Sequence, residues 1–143
     1  MAITSAVCTS FKVELLKGIH NFTASSGNTF NIALYTSSAS LGAATTAYTT
    51  SNEVSGSGYT AKGNALTSVT PVADSTTAVC DFADTSFTSA SFTARGCMIF
   101  NDSATGDPAC VIIDFGSDKT VTSGTFTIQF PTADASNAII RIA

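Results

Sequence analysis

The sequence predicts an all-β chain: an antiparallel β-sandwich, jelly-roll-like, with one N-terminal helix and one long loop. Three observations predict it. From Asn64 onward, short apolar or alternating segments recur between clusters of turn-forming residues. Ser and Thr fill the polar positions, and Thr fits a pleated, half-buried surface. Only one stretch, near the N-terminus, spaces its apolar residues as a helix does. The 143 residues suffice for a single domain, 1–143, with a real core. An immunoglobulin-like sandwich is the alternative, but its Cys…Trp…Cys signature needs a Trp that this chain lacks.

Residues 5–18, SAVCTSFKVELLKG, are the expected helix. Ser5 is placed to cap it, Gly18 to end it, and Lys17 to face the negative end of its dipole. Val7, Phe11, Leu15 and Ile19 fall on one side. His20 follows in a turn, where a turn or cap role is expected of it. In residues 30–35, Phe30, Ile32 and Leu34 alternate with Asn31, Ala33 and Tyr35, the pattern of a half-buried strand. Residues 36–63 then form a loop too long for an ordinary connection. It holds one acid, Glu53, one base, Lys62, and two tyrosines, Tyr48 and Tyr59. Gly56, Gly58 and Gly63 permit backbone angles closed to other residues. The loop is expected to be ordered, pinned by Val54, Tyr48 and Tyr59 to the body or to a neighbouring subunit.

Strands are expected over 65–72, where Pro71 marks an edge or an end, and over 76–82. Residues 87–92 read as a short connection or strand. Residues 94–101 and 109–115 read as a hairpin across the turn NDSATGDP. GSDKTVTSG, 116–124, reads as a turn, and TFTIQF, 125–130, as a strand with Phe126, Ile128 and Phe130 inward. Residues 138–142 close the chain as a final strand.

Charged residues are only 11% of the chain, about half the usual share. A neutral, hydroxyl-rich surface suits packing against other subunits, because few charges must be desolvated there. The net charge is −4 and the six bases are scattered, so binding to nucleic acid through phosphates is not expected. No apolar run is long enough for a membrane span, and the N-terminus lacks the form of a secretory signal. Synthesis in the cytosol without cleavage is the expectation. The four cysteines, Cys8, Cys80, Cys97 and Cys110, are expected as buried small hydrophobes, with a Cys97–Cys110 bridge possible across the hairpin.

No constellation for chemistry is legible. There is one His, no nucleophile elbow, and no phosphate or dinucleotide fingerprint. The acid pairs Asp81/Asp84, Asp102/Asp107 and Asp114/Asp118 flank turns, where carboxylates cap backbone N–H groups. Arg95 is expected to pair with Asp114 or Asp81. Catalytic residues, metal ligands and cofactors are therefore not expected. The candidate contact residues are Phe11 on the helix and Tyr48, Glu53, Val54, Tyr59 and Lys62 in the loop. Glycan binding through Tyr48 and Tyr59 is the lesser reading, weakened by the lack of Trp.

The segments TSAVCTSFKVELLKGIHNF, TTSNEVSGSGYT and DFGSDK carry a resemblance that runs over nearly the whole chain. The chain resembles small structural proteins of tailed bacteriophages. The resemblance implies a virion component, synthesised in the host cytoplasm, that contacts the major capsid protein or other virion proteins and copies of itself. A capsid decoration or cement protein is the expected role. A tail, baseplate or fibre adaptor, with or without host-glycan binding, is the alternative.

Overall fold

A computed structural model describes residues 2–143. The chain is all-β, with two antiparallel sheets and one short helix. The elements are β1 (Ala6–Val7), α1 (Thr9–Leu16), β2 (Phe30–Tyr35), β3 (Asn64–Ala65), β4 (Ser68–Asp74), β5 (Thr77–Phe82), β6 (Thr85–Asn101), β7 (Ala109–Ile128) and β8 (Ile140–Ile142). One sheet has the order β1-β7-β6-β2-β3 and the other β4-β5-β8. The core between them is aromatic. Phe22 stacks on Phe30 at 4.2 Å, and both lie near Phe82, at 6.1 and 5.9 Å.

The hairpin of β6 and β7 is the spine of the large sheet. The expected pair 94–101 and 109–115 is there, with Cys97 opposite Ile113 and Ile99 opposite Val111. The pairing runs much further, to Thr85 opposite Ile128. Residues 116–124 are thus strand, not the expected turn, and 87–92 belong to the same strand as 94–101. Their Gly and Ser residues make bulges instead. Gly116 and Ser123 have positive φ, and the register slips between Phe87 and Ala90, Ala90 and Phe92, and Ala94 and Gly96. The inward alternation of Phe126, Ile128 and Phe130 survives, with Thr125, Thr127 and Gln129 exposed.

The helix is shorter than 5–18. Ala6 and Val7 leave the helical path because the edge of β7 offers them partners, Ile112 and Val111. Ser5 does not cap the helix; its hydroxyl accepts the N–H of Asp114 at 2.8 Å. Within α1 only Phe11 is buried. Ile19, expected beside it, is exposed.

All six residues of β2 are buried, so this strand is covered on both faces and not half-buried. Pro71 does mark an edge: β4 ends its sheet, and the register slips between Val69 and Val72 around the missing proline donor. Strand 65–72 is split into β3 and β4, and Val69 and Val72 are exposed.

The four cysteines are free and buried. The hairpin register sets Cys97 opposite Ile113, which leaves Cys110 three positions away and no bridge between them. Burial pushes the Cys8 thiol up to about 11 and Cys80 up to about 12. The thiolate is the reactive form, so these thiols are inert in the fold. Ellman's reagent is expected to label none of them in the native protein and all four in guanidinium; prompt labelling of one before unfolding would contradict the burial.

Candidate interaction site

Loop 36–63 folds down against the sheet, with Glu53 at its centre. One carboxylate oxygen, Oε1, accepts the Tyr48 hydroxyl at 2.6 Å. The other, Oε2, accepts the Tyr59 hydroxyl at 2.6 Å and the Lys62 backbone N–H at 2.9 Å. Hydrogen bonds to an ionised acceptor are the stronger kind. The Tyr59 oxygen in turn accepts the N–H of Leu34 at 2.9 Å, and Val54 N–H donates to Leu34 C=O at 2.9 Å. Tyr35 donates to the carbonyl of Thr49 at 2.7 Å.

These bonds explain why the loop is long. β2 pairs with β6 on one side over its full length, but β3 covers only Asn31 and Ile32 on the other. The rest of that edge would leave unpaired backbone groups, which invite another chain. Loop residues take the place of the missing strand. Gly63 sits at the closure with φ +64, its backbone pressed onto the carbonyl of Ile32. Lys62 locks the far end. Its Nζ lies 2.8 Å from Asp102 and 2.8 Å from Asp107, over the rings of Tyr48 and Phe100. Those two bonds hold its pKa above the usual lysine range.

The sequence-derived contact residues are therefore brought together, and they face inward. Tyr48, Glu53, Val54, Tyr59 and Lys62 form one anchor, in which Val54 is buried and the others half-buried. Phe11 lies apart from it, fully buried against His20 at 4.8 Å and Phe22 at 5.9 Å. Arg95 takes both Asp114, at 3.6 Å, and Asp118, at 3.0 Å.

All three tyrosines of the chain belong to this loop or its strand. Burial first, and then the Glu53 carboxylate, pushes Tyr48 up to about 12, and the same causes raise Tyr59 and Tyr35 well above the usual phenol range. The neutral phenol is the form the fold favours. Its stabilising effect is complete below about pH 10, the unfolded value, and is lost as pH climbs toward the raised native values. Absorbance at 295 nm is expected to stay flat in native protein to pH 11 and to rise near pH 10 in guanidinium. A native titration near pH 10 would show that the anchor is open.

His20, expected in a turn or cap role, is buried, and its ring bonds side chains instead of capping backbone groups. The neighbouring groups fix its proton. Asn101 Oδ1 accepts the N–H groups of Ser103 and Ala104, so its Nδ2 donates to His20 Nδ1 at 3.0 Å. The His20 Nε2–H then donates to Glu14 Oε1 at 2.9 Å. Cys110 Sγ lies 3.9 Å from the same Nδ1, which gives a thiol, an imidazole and a carboxylate in line. The line has no chemical use. The acceptor lone pair of Nδ1 is already taken by Asn101, and burial raises the Cys110 pKa. The residue is also fully enclosed.

Among the described residues, no three His, Cys, Asp or Glu side chains gather as metal ligands. No helix there is long and apolar enough to cross a membrane. Comparison with protein families, curated proteins and solved structures gave no match.

The exposed apolar side chains lie elsewhere. Six large apolar side chains are exposed among the described residues: Val13, Leu16, Ile19, Val69, Val72 and Ile142. All six belong to α1, the turn after it, β4 or β8. None lies on the five-stranded sheet or the loop. The apolar character of Val13 and Leu16 was legible, but their exposure depends on Phe11 alone turning inward.

Proposed function

We propose that the chain is a structural protein of a tailed-bacteriophage virion, acting as a capsid decoration or cement protein. It adds contact area between shell subunits, through many copies that each bind with modest affinity. The observation that carries this reading is that the six exposed large apolar side chains among the described residues all fall on α1, the turn after it, β4 or β8, and none on the five-stranded sheet or the loop. Those elements can adhere, while the rest of the surface is rich in Ser and Thr and the long loop is tied down to a rigid body. Scattered apolar residues would carry no such meaning; a clustered set marks an interaction site. The resemblance of TTSNEVSGSGYT and DFGSDK to phage structural proteins supports the choice of particle.

The test is quantitative mass spectrometry of purified particles, with heating of particles made with and without the protein. Abundance comparable with the major shell subunit, and earlier DNA release from particles that lack it, are the expected results. Abundance as low as that of tail components would assign it to the tail. Absence from particles would end the virion reading.

A further inference from the structure

A groove of about 450 Å³ lies between α1 and β8. Phe11, Leu15 and Leu16 line it from the helix, and Ile140, Arg141 and Ile142 from the strand. A strand whose consecutive residues all line a groove presents its edge to that groove. One edge of β8 pairs with β5, through Ile140 opposite Cys80 and Ile142 opposite Ala78. The other edge ends the sheet, with no strand beyond it among the described residues. Leu16 is 92% exposed at the rim and Ile142 57%.

The rim is also basic. Lys12 shares the groove with Arg141, and Lys17 follows Leu16 at the end of the helix. Among the described residues, none of these three lies within 4.0 Å of a carboxylate, whereas Lys62 and Arg95 are spent in ion pairs. Two acids lie nearby. Glu14 turns to His20; Asp134 accepts the N–H groups of Ser136 and Asn137 and lies near Arg141, whose Nη1 donates to the Ala135 carbonyl at 2.7 Å, so of the three cations Lys12 and Lys17 are left without a partner among the described residues. A chain of net charge −4 thus keeps a cationic rim around this groove.

We propose that this groove binds an extended acidic segment of a partner protein by strand addition. The segment pairs its backbone with the open edge of β8, lays alternate apolar side chains between Leu16 and Ile142, and sets its carboxylates against Lys12 and Arg141. A second copy fits poorly, because antiparallel pairing of two β8 strands brings Arg141 toward Arg141. The proposal rests on the adhesive reading for the partner's identity, and on the groove alone for where and how it docks.

The test uses the purified chain with a fluorescent peptide of alternating Leu and Glu, against the same peptide with Lys in place of Glu. Anisotropy should show binding of the acidic peptide, weakened by salt, and at least tenfold weaker binding of the basic one. Leu16→Asp and Lys12→Glu, both at solvent-facing positions, should each weaken the acidic peptide about tenfold while the 295 nm titration stays native. Equal affinity for both peptides, no binding of either, or binding indifferent to Leu16→Asp would overturn the proposal. So would ultracentrifugation showing a dimer that Leu16→Asp dissolves, since the groove would then belong to a second copy. Binding to vesicles of anionic lipid in preference to the peptide would also overturn it. None of these outcomes depends on finding the protein in particles, so the groove and the virion reading stand or fall separately.

Discussion

Putting a methyl group on Gly63 is expected to cost the fold about 4 kcal/mol, enough to remove much of a typical domain's stability. Two causes add. The residue sits at φ +64, where any Cβ costs about 1–2 kcal/mol. The new carbon would also overlap the carbonyl of Ile32, which is backbone of the fully buried β2 and cannot step aside. Gly106 separates the two causes. It has φ +84 but nothing within 4 Å of the position of a Cβ. Gly106→Ala should therefore cost only the backbone part, about 1 kcal/mol. Urea unfolding of both variants checks this. Equal losses would mean that loop and strand are not in contact at Gly63.

Glu53→Ala is expected to cost about 3 kcal/mol and to lower the melting temperature by about 10 °C. The substitution removes the acceptor of three donors at once: the Tyr48 and Tyr59 hydroxyls and the Lys62 N–H. Each half-buried donor left without a partner carries a desolvation cost. Tyr59→Phe should be milder, because it removes one bond to Glu53 and one from Leu34 and leaves the carboxylate its other partners. Thermal melts followed by circular dichroism rank the two variants. A Glu53→Ala protein as stable as the parent would mean that the loop is held by packing alone.

Much of the fold was legible because its causes are local. The apolar runs ACVII and CMIF, with the turn NDSATGDP between them, specify a hairpin whatever surrounds it. Three loop glycines, Gly56, Gly58 and Gly63, were read as special backbone positions, and all three have positive φ. The misreadings have distant causes. Ala6 and Val7 look helical until the edge of β7, over a hundred residues away, claims them. The segment GSDKTVTSG has the composition of a turn, yet its facing strand continues, so the glycine and serines become bulges. Asn31, Ala33 and Tyr35 look like the wet face of a strand because nothing in 30–35 announces the loop that covers it.

The site was half legible. A lone acid between two tyrosines in a long neutral loop stood out as a group, and the structure does bring Tyr48, Glu53, Tyr59 and Lys62 together. Its direction could not be read. Whether a carboxylate points at a partner or at its own chain depends on where three donors fall in space. The exposed apolar residues of the helix were hidden for a related reason. Helical spacing says which residues share a face, and the packing of Phe11 then decides how much of that face is covered.

The placement of β2 bears on how the chain is made. Its main neighbour, β6, pairs Phe30 with Asn101, so some seventy residues must leave the ribosome before the strand finds that neighbour. The loop arrives far sooner, since Tyr59 lies only 25 positions beyond Leu34. The Glu53 anchor can therefore shield FNIALY in the nascent chain, a segment apolar enough to stick to any other exposed strand. A newly made chain with a weakened anchor would reach chaperones or inclusion bodies before it reached its native state.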